Sequence, residues 1–295
     1  MKATITFASS LASIAAPAIL LCGFAHAQEP SWVKILSATG PGSFAPMPAC
    51  EMTFDAGWKD IAKAGQIKVS IIPSGDSIKV MGQGADVGAA AALLPVEGEF
   101  VSLIDAATLL PKLNEQTQKR KDSVLLSQVD FSGGKVSSTK SLKVGGTGEE
   151  VKHAKELMVP KAYDLISAAL FLRSQPLKEV GETYTIAVVP QSSAKPLTAK
   201  VVERAKYSYN GNMIDAIKVE VAPAVFKPTA EEEAKAKADA ANESLKDKTK
   251  EIFKGTLSSV YAWISDDADR LPLEISVNIT PIGAVGAKLV EFKKN

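Results

Sequence analysis

The sequence predicts a mainly β protein, built on a curved antiparallel sheet, a partly closed barrel or a sandwich. From Cys50 onward, apolar and polar residues alternate with a period of two, which is typical of strands with one face on a core and one in water. One segment has helical spacing and another is rich in Ala, Glu and Lys. We therefore expect one amphipathic helix packed on the sheet and one charged helical insert.

Residues 1–27 have the organisation of a cleavable secretory signal peptide. Lys2 supplies a positive start, an apolar run covers 11–24, and the Ala-His-Ala sequence that ends at Ala27 matches the small-x-small pattern of a cleavage site. We expect cleavage after Ala27, a mature protein that begins at Gln28, and a periplasmic or secreted location without a transmembrane span.

Two alternatives for this segment stay open. The apolar run could be retained as an N-terminal anchor, although its first half is rich in Ala and Ser. Cys22 could carry a lipid, but Leu21 disfavours this because lipoprotein signals share a small residue before the cysteine.

The charge balance argues against nucleic acid as a partner. The chain has 34 Lys and Arg and 33 Asp and Glu, so loss of Lys2 with the signal peptide leaves 33 of each. A protein that binds phosphate backbones needs an excess or patch of positive charge. The mature chain is formally neutral, with Lys and Glu interspersed.

Cysteine and histidine content limits the chemistry further. Cys50 is the single cysteine after cleavage, so the mature chain has no intramolecular disulfide. We expect Cys50 to be a small buried hydrophobe. A catalytic pair with His153, the one remaining histidine, is a formal alternative.

Composition divides the mature chain into a lead-in and a domain. Residues 28–49 are rich in Pro, Gly and Ser and are predicted to be a flexible lead-in. Residues 50–295 are predicted to form a single β-rich domain, a size that can bury a full core. The glycine-rich stretch 145–148 is a possible break between subdomains.

Four runs show the strand pattern most clearly, because polar residues separate their apolar positions. The apolar positions are Ile67, Val69 and Ile71; Tyr184, Ile186 and Val188; Ile217, Val219 and Val221; and Leu273, Ile275, Val277 and Ile279. Alternation of this kind indicates antiparallel strands rather than doubly buried parallel ones.

The predicted amphipathic helix covers residues 160–174. Tyr163, Ile166 and Leu170 recur at helical spacing, and Pro176 stops the run. This apolar face is wide enough to lie on a sheet.

The charged insert covers residues 229–250, which contain almost no apolar side chains. Thr229 and Glu232 have the spacing of a capping box, and the pairs Glu231/Lys235 and Glu233/Lys237 are oriented favourably for a helix. We expect an exposed or partly disordered helix inserted between two strands.

Residues 78–95 carry glycines that resemble a dinucleotide-binding loop. Gly82, Gly84 and Gly88 follow a strand-like run, but the third glycine comes one residue late and no alternating βα pattern follows. A turn and a short helix packed on the sheet is the preferred interpretation.

The other catalytic motifs are also incomplete in this sequence. An S-x-x-K pattern begins at Ser31, Ser137 and Ser192, without the accompanying S-D-N or K-T-G. The sequence also lacks a G-x-S-x-G elbow and the ligands of a zinc site. We therefore predict no catalytic residue, no metal ligand and no cofactor.

The remaining polar cluster contains Asp266, Asp267 and Asp269. Three carboxylates this close could hold calcium or serve as an acid and a base. A calcium loop, however, needs an acid at every second position and a glycine at its sharp turn. We predict instead a hairpin turn in which Asp side chains accept backbone N–H groups and Arg270 balances the charge.

The chain resembles an exported bacterial family catalogued as domain of unknown function 3108. The C-terminal stretches that carry the resemblance are DLISAALFLRS, GETYTIAVV, NMIDAIKVEV, VYAWISDDADRLPLEISVNI and GAVGAKLVEF. The stretches FDAGWKDIAKAGQIKVSI, FVSLIDAATLLPKLNEQTQKRKD and VDFSGGKVSS fit the N-terminal half. The most specific motif consists of Trp263, Ser265, Asp266, Asp267, Arg270 and Pro272.

The resemblance covers roughly Cys50 to Phe292 and implies a secreted or periplasmic β-rich domain without an established activity. It carries over no catalytic residue, and the insert 229–250 departs from the family pattern. The residues of the motif are therefore expected to be structural.

These observations favour a non-catalytic envelope protein that binds an apolar small molecule or another envelope component. The alternative is a hydrolase or carbohydrate-active enzyme that uses Asp266, Asp267 or Asp269. An enzyme should show carboxylates that converge in a cleft with perturbed pKa values, whereas a carrier should show an apolar cavity with few polar groups.

Overall fold

The structure is a computed structural model that describes residues 30–44, 46–58, 63–87, 96–132, 135–144, 150–190, 193–234, 237, 256–280 and 283–295. A 3₁₀ helix spans Ser31–Ile35, and the α-helix that we call α1 spans Leu165–Ser174. The strands are β1 (Cys50–Trp58), β2 (Lys63–Ser74), β3 (Ser77–Asp86), β4 (Val96–Asp105), β5 (Pro111–Arg120), β6 (Ser123–Asp130), β7 (Val136–Val144), β8 (Glu150–Leu157), β9 (Ala162–Tyr163), β10 (Thr183–Val188), β11 (Lys195–Tyr209), β12 (Asn212–Pro223), β13 (Thr256–Ser265), β14 (Pro272–Thr280) and β15 (Gly283–Lys294).

These strands form one sheet, and the first and last strands of the chain are neighbours in its middle. β1 lies between β2 and β15, the strands β2 to β8 follow one another to one edge, and β9 to β15 return from the other edge. Every neighbouring pair is antiparallel except β9 and β10. The four runs with the clearest alternation lie in β2, β10, β12 and β14, as predicted.

The connection between the edges shows that the sheet is strongly curled. Residues 158–161 alone join β8 to β9, and a chain of this length reaches at most about 18 Å. A flat sheet of this many strands would be about 67 Å wide. The two edges are therefore close together, which confirms the predicted curved antiparallel sheet.

Apolar side chains pack where the two edges approach. Val129 of β6 and Val136 of β7 share a buried cluster with Ala187 and Val189 at the end of β10. Trp32 of the lead-in belongs to the same cluster and is buried. Within the described strands, β8 and β9 are the two ends of the hydrogen-bonded order, and this cluster joins the edges through side chains.

The inner face of the sheet is the one that contacts α1. Paired residues of neighbouring strands share a face, and the register places Cys50 opposite Ile71 and Ile71 opposite Val80. All three are buried in one cluster with Leu170 of α1. Cys50 is thus a buried core residue, and burial raises the pKa of its thiol.

The α-helix begins later than the sequence pattern indicates. The predicted start at 160 is wrong, because Asp164 caps a helix that runs from Leu165 to Ser174. Tyr163, which its spacing predicts to lie on the helix face, belongs to β9 and pairs with Val188. Its ring packs 5.1 Å from that of Phe171, and burial raises its pKa to about 12.

Residues of the lead-in pack along the end of α1. The backbone N–H of Gly42 donates to Ser174 Oγ at 2.9 Å, and that of Phe44 donates to the Ser174 carbonyl at 3.2 Å. A Cβ atom at Gly42 would lie 2.1 Å from the carbonyl oxygen of Ser174, so this close approach requires glycine.

The start of the charged insert also contacts the lead-in. Thr229 and Glu232 form the predicted capping box, and residues 230–234 are helical. The Glu232 carboxylate also accepts hydrogen bonds of 2.7 Å from both the N–H and the hydroxyl of Ser31. The Ser31 and Thr229 donors lower the pKa of Glu232 to about 2.

Several sequence predictions fall outside the described residues. These are the signal peptide 1–27, the possible break at 145–148, and residues 238–250 of the charged insert. Among the helices that the structure describes, none has the length and apolar character needed to cross a membrane.

Candidate functional site

The Asp-rich motif forms the turn between β13 and β14. Asp267 Oδ1 accepts hydrogen bonds from Ser265 Oγ at 2.8 Å and from the N–H groups of Asp269 and Arg270, both at 3.0 Å. Ser265 Oγ in turn accepts from the Leu271 N–H at 2.7 Å. Arg270 has a left-handed backbone, with φ of +46°, so these hydrogen bonds hold a strained turn in place.

The other two carboxylates of the turn contact separate cations. Asp266 pairs with Arg204 and lies 3.8 Å from Nη2 of Arg270. Asp269 accepts from Lys294 Nζ at 2.8 and 3.0 Å. Across the described part of the chain, no three His, Cys, Asp or Glu side chains lie in an arrangement suited to a metal ion.

The two remaining motif residues belong to the strands beside the turn. Trp263 lies in β13, with its ring 5.5 Å from that of Tyr207 and 5.3 Å from Nζ of Lys218. Pro272 begins β14, opposite Ile264. The turn therefore connects to the sheet through Trp263 of β13 and Pro272 of β14.

The candidate dinucleotide-binding glycines and the candidate Cys-His pair do not have the arrangement that those functions require. Gly82 and Gly84 lie within β3, whose neighbours β2 and β4 are both antiparallel, and the ring of Phe100 fills the space where a Cβ of Gly82 would lie. Gly88 lies outside the described residues. His153 is on the edge strand β8, whereas Cys50 is on the central strand β1.

The S-x-x-K serines are equally scattered. Ser31 begins the 3₁₀ helix and Ser137 lies in β7, while Ser192 lies outside the described residues. Ser31 and Ser137 therefore lie in unrelated local structures.

A cavity lies between the lead-in, α1, β3 and the turn from β4 to β5. Its volume is about 220 Å³, and we call it the lead-in cavity. Its lining residues are mostly apolar or small: Pro41, Gly42, Phe44, Pro46, Met47, Ile78, Ala106, Ala107, Leu109, Leu170, Arg173 and Ser174.

The turn from β4 to β5 provides a preorganised wall of this cavity. Asp105 Oδ1 accepts from the N–H groups of Ala107 and Thr108, at 3.2 and 2.9 Å, and the Thr108 N–H is the main cause that lowers the Asp105 pKa. Leu109 at the end of the turn has φ of +56° and is buried. A left-handed leucine costs about 1–2 kcal/mol, so the surrounding contacts must hold its side chain against the cavity.

Two buried arginines, Arg173 and Arg270, lie beside the lead-in cavity. Arg173 lines the cavity with only 6% of its surface exposed, and its Nη2 donates to the Asp269 carbonyl at 2.9 Å. Burial lowers its pKa, and the nearby Asp269 opposes that effect. Arg270 is 3% exposed and lies 4.0 Å from the ring centroid of Phe44.

A buried polar network positions the helix that carries Leu170 and Arg173. Ser102 and Asn114 lie opposite one another on β4 and β5, and both donate to Asp164 Oδ2, at 2.5 and 3.0 Å. The other carboxylate oxygen of Asp164 accepts from the Ser167 N–H at 2.6 Å and so caps α1. All four residues are buried, which fixes the start of the helix to the inner face of the sheet.

A second concavity of about 260 Å³ lies over β2, β3 and β4. It is a more open surface groove, and its lining residues include Gln66, Lys68, Gln83, Glu97 and Glu99. The lead-in cavity is the better candidate site, because it is the more enclosed of the two.

Two features of the sequence are consistent with this cavity. Phe44 and Met47 are the large apolar residues of the Pro-, Gly- and Ser-rich stretch 37–49, and large apolar side chains are usually buried. Arg173 is the one charge in an apolar helix, which indicates a buried or partnered cation.

The sequence matches the model of one protein family. Its model, described as a protein of unknown function (DUF3108), matches residues 51–290. The chain belongs to the DUF3108 family. Among curated proteins, none matches the sequence of this DUF3108 protein.

Two solved structures resemble the DUF3108 chain. One is a β-barrel-like protein of the DUF1849 family from Brucella abortus, with 8% identity, coverage of 85% of this chain and 99% of that one, and a TM-score of 0.52. The other is a protein with a YmcC-like fold from Bacteroides fragilis, with 8% identity, coverage of 86% and 100%, and a TM-score of 0.34. The first likeness supports the curled sheet and says nothing about activity.

Proposed function

We propose that this DUF3108 protein is an exported, non-catalytic binding protein that holds a small apolar molecule in the lead-in cavity. The observation that carries the proposal is the cavity itself, with a volume of about 220 Å³ and mostly apolar walls. A cavity of about 150 Å³ with such walls is large enough for benzene, so this one has room for roughly nine non-hydrogen atoms.

The cavity walls support a role in binding a ligand rather than a role as ordinary packed core. Ile78 from β3, Leu109 from the turn and Leu170 from α1 come from three elements, and each is also buried in the main core cluster. Polar networks at Asp105 and Asp164 hold two of these elements in place. A cavity with rigid walls does not collapse, so an apolar ligand replaces missing contacts without reorganising the protein.

The motif turn has a structural role in this proposal. Asp267 is engaged by a hydroxyl and two backbone N–H groups, and Asp266 and Asp269 contact cations on different strands. An acid and base pair needs carboxylates that converge on one substrate. The arrangement supports a turn that connects β13 to β14 and also anchors the surrounding arginines.

Export is proposed from the signal-peptide pattern of residues 1–27. Intact mass of the protein recovered from the envelope fraction tests it. A chain that begins at Gln28 is expected, whereas a mass that retains residues 1–27 or includes a lipid on Cys22 would contradict the proposal.

The binding function is tested by filling the cavity from its rim. Ala106 lines the cavity and Ala154 lies exposed on β8, so Ala106→Leu and Ala154→Leu add the same volume at the two places. Binding of hexanamide, measured by ligand-observed NMR, should be lost in the first variant and retained in the second. Absence of binding to the unaltered protein at millimolar ligand would overturn the proposal.

A further inference from the structure

We propose that the protein docks on an anionic lipid bilayer through the surface around the seam, the place where the sheet edges β8 and β9 approach one another. The inference goes beyond the proposed function, because it concerns a different surface and does not depend on the lead-in cavity or its ligand. It is argued from exposed apolar side chains, from the lysines beside them and from the packed backbone that carries both.

The buried apolar cluster that joins the two edges fixes the position of this surface, and we call it the seam cluster. Trp32 of the lead-in, Val159 and Ala162 belong to it, and Ala194 and Phe226 pack against it. These residues come from four separate stretches of the chain. Residues that adjoin them in the sequence therefore lie around one place on the molecule.

Val225 is the most exposed apolar side chain at the seam, with 98% of its surface open to solvent. Its neighbours on both sides are held in place. The N–H of Ala224 donates to the Pro196 carbonyl at 3.0 Å, and Phe226 packs against the seam cluster. Val225 thus projects outward from a fixed backbone, and its side chain can be buried only by contact with another body.

Two more large apolar side chains are exposed beside the same cluster. Ile35 follows Trp32 by three residues, so both lie on one side of the 3₁₀ helix. Met158 lies between Leu157 and Val159, which pack against or belong to the seam cluster. Single exposed apolar residues are common, but these three adjoin one cluster and form a candidate contact surface.

The charge of this surface is positive. Four segments contain residues of the seam cluster or residues packed against it: 31–40, 157–163, 193–197 and 223–230. Their charged residues are Lys34, Lys161, Lys195 and Lys227. All four lysines are exposed, and the segments contain no Asp or Glu. A mature chain that is formally neutral therefore concentrates cations beside its exposed apolar side chains.

The carboxylates that adjoin these segments are engaged elsewhere. Glu156 precedes the second segment and pairs with Lys135 at 2.7 Å. Glu232 follows the fourth segment and accepts hydrogen bonds from Ser31. Since Glu232 faces the lead-in, the glutamates on either side of it point about 100° away around the helix.

Apolar side chains flanked by lysines suit the surface of a bilayer. The apolar groups enter the boundary between headgroups and acyl chains, while lysine ammonium groups remain at the level of the phosphates. A second copy of the chain fits less well, because a two-fold contact would place these lysines against the same lysines of the partner. The surface therefore favours anionic lipid as its partner.

The experiment measures co-sedimentation of the mature protein with vesicles of phosphatidylglycerol and with vesicles of phosphatidylcholine. Each lysine near an anionic surface strengthens binding about fivefold, so phosphatidylglycerol should be bound about a hundredfold or more tightly. Added salt should weaken this binding. Equal binding to both lipids, or to neither, would overturn the inference, whereas retained binding of hexanamide would leave the proposed function intact.

Matched variants locate the contact. Val225→Ser should weaken binding to phosphatidylglycerol vesicles about tenfold, whereas Val180→Ser, at a valine 60% exposed in the turn before β10, should not change it. Lys227→Gln should weaken it about fivefold, and Lys79→Gln on β3 should have no effect. Equal effects within either pair would show that the seam is not the docking surface.

Two further results would assign the surface to a protein partner and overturn the inference. One is a dimer in light scattering that Val225→Ser dissociates, without binding to vesicles. The other is binding to immobilised polyglutamate as tight as binding to phosphatidylglycerol and unchanged in Val225→Ser, since only charge would then be recognised. We expect instead a monomer that binds phosphatidylglycerol vesicles more tightly than polyglutamate.

Discussion

The side-chain amide of Asn114 donates a 3.0 Å hydrogen bond to the carboxylate of Asp164, and this contact joins β5 to the cap of α1. Ser102, directly opposite Asn114 on β4, donates to the same oxygen. Backbone pairing therefore places two donors side by side, and the helix is held where they converge. The position of Leu170 and Arg173 at the cavity depends on this contact.

Removal of the Asn114 amide should destabilise the protein. Asn114→Ala leaves a buried carboxylate with one donor fewer, and loss of a hydrogen bond to a charged group costs about 1.5–3 kcal/mol. The free energy of unfolding from urea denaturation measures the effect. Asn212→Ala, at the exposed first residue of β12, is the matched control, and equal effects of the two changes would show that the Asp164 network does not hold the helix.

Shortening Leu170 should cost less stability than shortening a fully packed leucine. Leu170 borders the lead-in cavity, whereas Leu273 of β14 is fully buried. Leucine to alanine changes cost about 2–5 kcal/mol, so Leu170→Ala is expected near the lower limit and Leu273→Ala in the upper half. Leu170→Ala should also change the affinity for hexanamide. Equal losses of stability with unchanged binding would indicate that Leu170 is ordinary core.

The motif turn should respond differently to loss of Asp267 and loss of Asp269. Asp267→Ala removes the acceptor of three hydrogen bonds and should lower the free energy of unfolding by about 1 kcal/mol or more. Asp269→Ala removes an exposed ion pair and should change it by no more than about 0.5 kcal/mol. Unchanged stability in Asp267→Ala, together with loss of a measurable hydrolytic activity, would favour the enzyme alternative.

Glu232 should make stability depend on pH in acid. Its folded pKa of about 2 lies below the ordinary value of 4.5, so its contribution is fully present above about pH 4.5 and is lost as the pH falls towards 2. Glu232→Gln should therefore lower the melting temperature at pH 7, and the difference from the unaltered protein should shrink between pH 4.5 and 2. Glu231→Gln, one residue away, removes the same charge as a control. A difference that is constant over this range would show that the Ser31 contacts do not perturb Glu232.

The strands were predictable because their signal is local. The strands β2, β10, β12 and β14 each bury one face. Apolar and polar residues therefore alternate along their sequences. The start of α1 was not predictable from the sequence, because Tyr163 fits the helical spacing of Ile166 and Leu170. What decides it is the cap at Asp164, whose donors Ser102 and Asn114 lie far away in the sequence.

The cavity depends on contacts that no local pattern encodes. Pro, Gly and Ser in residues 28–49 are typical of a loose segment, yet Phe44 and Met47 from this segment line the cavity together with Ile78 and Leu109. Such a wall forms only when the sheet curls and brings the lead-in onto the end of α1. The turn at Asp267 was easier to predict, because the hydrogen bonds to the Asp267 carboxylate come from residues at most three positions away.

The central claim, that the lead-in cavity holds a small apolar molecule, is tested most directly by methyl NMR of the mature protein during titration with hexanamide. The methyl resonances of Ile78, Leu109 and Leu170 should shift together and saturate with a single dissociation constant, while that of the exposed Ile72 stays in place. Unchanged cavity methyl groups at saturating ligand, or shifts largest at Ile72, would contradict the account.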